Sequence, residues 1–513
     1  MNILLSIIYG TSFGEELVLN LITGTKDGIR QSTPYRMRTI NGREWTCDLR
    51  LDLRTGTYID YFYSVVRGED NVVRREWTME PHRLEINAVR GKSITVYDHW
   101  IDIPEDAYLY SSAFTDCIRR RKTTPVALSD YAVTARLKVR APQLAGNQRL
   151  MVVGNDKAMG GWDVSKAVPM YEHNYNEWIA DIDVTKLSGK TFFFKFVAVD
   201  VFDRANVVWE DRENRRVSLP DLTEGRVIVY ELDEAFFPIY NIRCAGTQVP
   251  VFSLRSKTSF GVGDFGDLKK MIDWMALTQQ RVLQLLPIND TTTTHTWTDS
   301  YPYSSISIFA LHPQYADLNA LPQIEDEETR KRFEELRLEL NALPQIDYER
   351  VNNAKTEYLT VLYQQEGKKV LASAEFKKFF AEASPWLVPY AQYCYFREKY
   401  GTADFSLWPD HNCFDEAERS ALSGPRNVAF KNVAFYYYVQ FILNTQMAEA
   451  HDYARSKGVV LKGDIPIGVD RHGADVWQEP RYFNLNGQAG APPDDFSVNG
   501  QNWGLPTYNW DEM

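Results

Sequence analysis

The first 235 residues carry the same landmarks twice, and this constrains the fold more than any other feature of the chain. Leu17 opens the run LVLNLITG and Leu150 opens LMVVGN, 133 positions later. Trp45 in REWTCDL and Trp178 in NEWIADI stand at the same offset, as do Tyr97 in ITVYD and Tyr230 in VIVYE. Trp77 in VVRREW and Trp209 in VVWE are 132 apart. Four pairs at almost one spacing predict two copies of one module, over about 1–105 and 130–235. Each copy consists of short alternating runs, such as TFFFKFVAV and LRLDL, broken by Gly, Asn and Asp turns. Period-two alternation between turn residues predicts an antiparallel β-sandwich of about a hundred residues.

From Val249 the texture changes. VPVFSLR reads as a strand, GVGDFGDLKKMIDWMALTQ as an amphipathic helix and RVLQLLPIN as an apolar strand. A strand–helix–strand unit with short connections implies a parallel sheet. Residues from about 320 to 457 read as largely helical, with Glu327–Lys331 and Glu328–Arg332 at the i,i+4 spacing of a solvated helix face. The part over about 320–430 is too long for one connection and reads as a helical insertion. A helix from about Val433 to Ser456 then leads to a third strand, VVLKGD. Its Asp464 stands at the C-terminal end of that strand, where a (β/α)8 TIM barrel keeps its chemistry. A barrel needs eight strands and about three are offered here. Residues 249–513 are therefore expected to be the N-terminal part of such a barrel, and the chain the N-terminal portion of a larger enzyme.

Composition narrows the partners. The net charge of −12, with 25% charged residues and no dense basic face, argues against nucleic acid or an anionic membrane. The one basic run, Arg119-Arg120-Arg121-Lys122, reads as a solvated linker. Five scattered cysteines without CxxC spacing suit reduced thiols and a cytoplasmic setting. The eight histidines form no metal-binding pattern. No apolar run reaches the length of a membrane span. MNILLSIIYGTSFGEE lacks a positive n-region and reads as a first strand rather than a signal peptide.

The second copy holds a set of residues suited to sugar. Trp162 lies in the polar loop GNDKAMGGWD and Trp209 in the polar turn VVWEDRENRR, with Lys195, Glu210 and Asn214 nearby in pattern. Exposed rings cover the C–H face of a sugar while amide and ammonium donors meet its hydroxyls. Residues 130–220, through Gly154-Asn155, Gly161-Trp162-Asp163, Phe194-Lys195-Phe196, Trp209-Glu210 and Asn214-Arg215, resemble the starch-binding module family. The resemblance implies a sugar platform of Trp162 and Trp209 with polar contacts from Lys195, Glu210 and Asn214. The first copy has no tryptophan near 29 and has Phe62 at the place of Lys195. A weaker, altered sugar site and a structural role are both open for it.

SLRSKTSFGVGDFGDL, QLLPIND, DSYPYSSISIFALHPQYADL, KGDIPIGVD, DVW and PPDDFSVNGQNWGLPTYNW together resemble the amylomaltase or disproportionating-enzyme family of 4-α-glucanotransferases. The layout looks most like the branch with tandem starch-binding modules. The resemblance implies transfer of α-1,4-glucan segments by retaining double displacement, with maltooligosaccharides, starch or glycogen as partners and no cofactor or metal. It implies that Tyr303 stacks near the sugar at the cleavage point and Asp464 binds that sugar's hydroxyls. Phe496, Gln501 and Trp503 would belong to a loop over the acceptor side. Asp470, Asp475 and Asp494 read as turn or capping acids. Retaining transfer needs a carboxylate nucleophile and an acid/base carboxyl about 5 Å apart. The family carries these in RIDH-like and AEDLG-like segments, which are expected beyond Met513. An α-glucan hydrolase on the same barrel and a non-catalytic starch-binding protein are the alternatives.

Overall fold

The computed structural model describes residues 2–26, 29–51, 57–68, 71–86, 93–120, 122–124, 129, 131–221, 225–239 and 244–513. Arg121 of the basic run and the last two residues of LRLDL lie outside them. The chain forms two compact units, Met1–Ile242 and Arg243–Met513.

The first unit is built of strands. Its first set comprises β1 Asn2–Ile8, β2 Glu15–Lys26, β3 Ile29–Arg36, β4 Arg38–Thr39, β5 Glu44–Arg50, β6 Thr57–Arg67, β7 Asn71–Arg75, β8 His82–Ile86 and β9 Ser93–Asp98. Its second set comprises β10 Val133–Arg140, β11 Gln148–Gly154, β12 Val168–Pro169, β13 Tyr171–Asn174 and β14 Glu177–Asp183. Four more complete it: β15 Thr191–Asp200, β16 Val207–Trp209, β17 Arg215–Ser218 and β18 Arg226–Leu232. In the first set β1 pairs antiparallel with β5 and parallel with β9, and a second sheet runs β3-β2-β6-β7 with β8 on β6. In the second set β10 pairs antiparallel with β14 and parallel with β18, and the second sheet runs β12-β11-β15-β16 with β17 on β15. Trp45 lies opposite Ile7 and Trp178 opposite Val139, and both indoles are buried.

The two sets share a sheet. β9 and β18 pair in parallel, with Ile94 opposite Val227 and Val96 opposite Val229, so one eight-stranded sheet runs β13-β14-β10-β18-β9-β1-β5-β4. Successive side chains of β18 therefore serve different cores. Val227 and Val229 pack with Leu5, Trp45 and Tyr61, whereas Ile228 and Tyr230 pack with Leu137, Trp178 and Phe194.

Two of the sequence landmarks are corrected by this register. Tyr97 and Tyr230 are not equivalent positions. They are cross-strand neighbours whose rings stack at 5.2 Å and 14°. Ile94 and Val96 face the first core while Ile228 and Tyr230 face the second, so Tyr230 corresponds to Val96. A slip of one residue turns every side chain to the other face. Trp77 and Trp209 are not equivalent either. Glu76 N–H donates to Tyr63 O and Glu210 N–H to Phe196 O, each at 3.1 Å, which matches Glu76 with Glu210 and places Arg75 where Trp209 stands. Trp77 packs edge-on against Tyr110 instead.

The second unit starts with β19 Gly246–Val249, followed by α1 Phe265–Leu277 and β20 Val282–Leu285. VPVFSLR is therefore not the strand. Pro250 has no N–H for the ladder, and the chain turns into a 3-10 turn at Val251–Ser253. α1 begins later than expected because the Asp264 carboxylate accepts from Gly266 N (3.0 Å) and Asp267 N (3.1 Å) and caps it there. The helical stretch comprises α2 Glu327–Ala342, α3 Tyr348–Ala372, α4 Ala374–Tyr400, α5 Glu416–Leu422 and α6 Phe430–Lys457. Gly458, at φ 75°, ends α6 and leads into β21 Val460–Lys462. The order is β19-β20-β21, all parallel. Leu283 and Leu285 of β20 pack with Leu268 and Ile272 of α1 and Leu443 of α6 in one core.

Candidate functional site

In the second strand set the Trp162 loop leaves the sheet at Gly154, opposite Phe194 of β15, and Trp209 lies opposite Val197 of the same strand. Asp156 pins the loop by accepting from Ala158 N (2.9 Å) and Ser188 N (2.7 Å). At Gly160, φ 89°, a Cβ would stand 2.9 Å from Asp163 O. Trp162 itself has φ 66°, a conformation that costs a bulky L-residue about 1–2 kcal/mol. Its N–H donates to Gly154 O at 2.8 Å and its ring stays 36% exposed. The left-handed backbone at Trp162 holds the indole at the surface instead of in the core. Trp209 is 40% exposed and Asn214 is exposed.

Two of the predicted residues are engaged within the protein. Glu210 is only 2% exposed and forms a buried ion pair with Arg215, Nε to Oε1 at 3.0 Å and Nη2 to Oε1 at 2.5 Å. Its carboxylate ties the loop to Arg215. The Glu-x4-Arg spacing was the available signal for this pair. The Lys195 ammonium donates to the carbonyls of Glu210 and Arg212, which fixes the turn after Trp209. In the first set the matching positions hold a buried Phe62 with the Arg75 guanidinium over its ring at 5.7 Å. A cation–π pair thus stands there in place of a lysine and an exposed indole.

In the second unit the Tyr303 hydroxyl donates to Asp464 Oδ2 at 3.0 Å, across 161 residues of chain. Asp464 follows β21, and its other oxygen accepts from Ile465 N at 3.0 Å. Partial burial, together with the Asp464 carboxylate, holds the Tyr303 phenol above its usual value. The strap between them is tied down further along. Ser304 Oγ donates to Asp470 Oδ2 (3.0 Å), and Ser305 bridges Val469. Ile308 N donates to Asp475 Oδ2 (2.8 Å), and burial raises that carboxyl to about 6. Asp470 and Asp475 both accept hydrogen bonds from the Ser304–Ile308 segment.

Residues 249–513 match the 4-alpha-glucanotransferase family, and residues 132–228 match the starch binding domain family. The chain belongs to the 4-alpha-glucanotransferase family. The 4-alpha-glucanotransferase DPE2 of Oryza sativa subsp. japonica is 33% identical over 98% of this chain and 54% of its own length. The 4-alpha-glucanotransferase of Chlamydia muridarum is 35% identical over 52% of this chain and 49% of its own. A solved amylomaltase from Streptococcus agalactiae in complex with acarbose is 26% identical, with a TM-score of 0.45, over 52% of this chain and 54% of that one. The chain spans about half the length of the curated relatives it matches.

The remaining predicted residues of this glucanotransferase-family chain sit on a hairpin. β22 Phe483–Asn484 and β25 Thr507–Tyr508 form its base, and β23 Gly490–Ala491 and β24 Gln501–Asn502 its upper part. Tyr508 OH donates to Ile467 O at 3.2 Å, anchoring the base to the segment that follows Asp464. At the tip, Asp494 accepts from Phe496 N (2.9 Å) and Ser497 N (2.7 Å) as a turn acid. Phe496 is 97% exposed, and Trp503 Nε1 donates to Gln501 Oε1 at 3.1 Å.

One cluster brings together possible metal ligands that no local motif announced: His82, Asp98 and Glu231, all buried in the first unit. The Lys138 ammonium lies 3.2 Å from Glu231 Oε2 and 3.0 Å from Glu177 Oε2, so the cluster already contains its cation. Metal binding there would set two positive charges against each other. No helix among the described residues is long and apolar enough to cross a membrane.

Proposed function

We propose that the second unit supplies the sugar-positioning part of a retaining 4-α-glucanotransferase, and that the first unit holds the α-1,4-glucan polymer. The observation that carries the proposal is the Tyr303–Asp464 contact beyond the C-terminal end of β21. It sets an aromatic ring beside a carboxylate, the pair a glucose ring needs for its C–H face and its hydroxyls. In the retaining reaction a carboxylate attacks the anomeric carbon while a second carboxyl protonates the leaving oxygen, and an acceptor sugar then displaces the enzyme. Tyr303 and Asp464 would orient the donor ring for that attack, and Phe496 and Trp503 would exclude water so that a sugar takes its place.

The parallel β19-β20-β21 order and the chemistry at the C-terminal strand ends support reading the second unit as the N-terminal part of a TIM barrel with a helical insertion. The repeated strand order supports two β-sandwich modules from one duplication. Only the second keeps the exposed indoles of a starch-binding site. The setting would be cytoplasmic, and starch, glycogen or maltooligosaccharides the partners.

The test uses maltotriose. A polypeptide of residues 1–513, which contains neither an RIDH-like nor an AEDLG-like segment, should release no glucose and form no longer oligomers by chromatography. In a polypeptide that also carries those segments, Asp464→Asn should cost about 1.5–3 kcal/mol of transition-state stabilisation, the worth of a hydrogen bond to a charged group. Maltotriose conversion by residues 1–513 alone would overturn the assignment and make Asp464 and Asp494 the first acids to test.

A further inference from the structure

Asp470 and Arg471 are neighbours in the chain and tie down two different elements. Asp470 serves the strap that follows Tyr303: its Oδ2 accepts from Ser304 Oγ at 3.0 Å, and its N–H donates to Ser305 O at 2.7 Å. Arg471 serves the hairpin that carries Phe496, Gln501 and Trp503. Its guanidinium donates through Nη1 to Leu485 O and through Nη2 to Gly487 O, the second at 2.9 Å. The segment that begins at Asp464 thus holds the strap with one residue and the hairpin with the next.

The hairpin depends on such a hold. Its ladder comes in two pieces, with Phe483 opposite Tyr508 at the base and Gly490 opposite Asn502 above. Between them the rising side turns on itself, Gly487 N donating to Asn484 O at 3.1 Å. It rejoins the falling side at Ala489, whose N–H donates to Leu505 O at 2.8 Å. The two carbonyls that Arg471 takes lie in this break. A two-stranded hairpin is marginally stable by itself in water, so its upper part takes the direction that its ties impose. Two ties grip the falling side: Tyr508 OH on Ile467 O (3.2 Å), and buried Leu505 against Gly468, where a Cβ would stand 2.7 Å from Leu505 Cδ1. Arg471 grips the rising side. A planar guanidinium reaches two carbonyls at once in a fixed fork, which a single ammonium does not reproduce.

We propose that Arg471 is a positioning residue of the transfer reaction, holding the hairpin so that a sugar hydroxyl rather than water ends it. This rests on the proposed role of Phe496 and Trp503 in excluding water. In the closing step the bond between the anomeric carbon and the enzyme carboxylate breaks. An incoming hydroxyl oxygen forms the new bond, and its proton passes to the acid/base carboxylate. Sugar and water satisfy that balance equally, so the outcome depends on which hydroxyl the hairpin admits. Arg471 acts on this choice through the direction of the hairpin alone.

The experiment uses the longer polypeptide that also carries the RIDH-like and AEDLG-like segments, with maltotriose as donor and labelled glucose as acceptor. Chromatography gives the share of cleavage that ends on water, and mass spectrometry follows amide exchange in the hairpin. Arg471→Met should raise that share, and the KM for glucose, about tenfold, the scale of losing hydrogen bonds to a charged group. Exchange at Ala489 and Trp503 should quicken with it. Arg471→Lys, which keeps the charge but not the fork, should fall between Arg471→Met and the unaltered protein. Arg481, at the exposed foot of the same hairpin, pairs with Glu479, and Arg481→Met should leave the share unchanged. An unchanged share in Arg471→Met, or an equal shift in Arg481→Met, would overturn the proposal. Should Arg471→Met fail to fold, Arg471→Lys decides by the same ratio. An unaltered polypeptide that transfers nothing would overturn the glucanotransferase reading itself, and this proposal with it.

Discussion

Lys138→Met lowers the stability of the all-β unit by about 3–5 kcal/mol, the cost of breaking a buried ion pair from one side. Lys138 is buried with its ammonium 3.0 Å from Glu177, 3.2 Å from Glu231 and 2.6 Å from the Arg83 carbonyl. His82 continues the network, with Nδ1 3.0 Å from Glu231 and Nε2 3.1 Å from Glu76. Asp98 accepts from the hydroxyls of Tyr61 (3.0 Å) and Tyr63 (2.6 Å). These groups come from both strand sets and face one another across the β9–β18 seam, so methionine would leave two carboxylates short of their cation inside the sheet. Urea unfolding of residues 1–242 followed by circular dichroism measures the loss. A change below about 1 kcal/mol would mean that water or movement solvates the seam.

The same network sets a pH optimum for that unit. Burial works against the charge of Glu177, but Lys138 and His173 outweigh it and hold the carboxyl at about 2, against 4.5 when free. Glu231, against the same burial, is held well below its usual value by Lys138 and His82. Folded values below the unfolded ones mean stability that is present above pH 4.5 and lost as pH falls toward the folded values. His82 has the opposite sign. Burial lowers it, yet Glu76, Glu231 and Asp98 hold the imidazolium well above 6.5. Its contribution is full below pH 6.5 and fades as pH rises through the raised value. Asp98, raised by burial to about 7, adds a penalty as pH climbs from 3.8. Stability of the unit should therefore peak between pH 4.5 and 6.5. A maximum above pH 8 would contradict the charged state of His82.

Trp162→Ala and Trp209→Ala should each weaken binding of β-cyclodextrin by about 1–3 kcal/mol, as truncation of a binding hot spot does. Together they should remove binding to soluble starch. Arg75→Ala in the first strand set should leave it unchanged, because the position of Trp209 there holds a guanidinium over a buried ring. Affinity electrophoresis in starch gels, with circular dichroism to confirm folding, separates these outcomes. Retained affinity in the double variant would return both indoles to packing.

The local elements were legible because they depend on periodicity and punctuation. Alternation marked the strands, Trp45 and Trp178 marked matching inward positions, and the apolar run after Ser456 marked the third parallel strand. The helix start was misjudged by a few residues, since GVGDF contains an acid whose capping strength shows only when the following amides are in place. Trp162 and Trp209 could be picked out as aromatics in polar turns. The pairing of Glu210 with Arg215 had only the weak signal of their five-residue spacing, because which cation a carboxylate meets is settled by the loop that folds over it.

What the sequence determined by itself is therefore the period of each segment: which runs alternate as strands, which repeat as helices, and which loops carry rings. What only the tertiary structure decided is which faces meet. Alternation is the same for a strand at an edge and a strand in the middle, so nothing in SITVYD or RVIVYEL announced that β9 and β18 would pair and place Tyr97 on Tyr230. Charges behave likewise. Lys138, Glu177, Glu231 and His82 are unremarkable polar residues along the chain, and they become one network only when the seam removes them from water and leaves each other as their solvent.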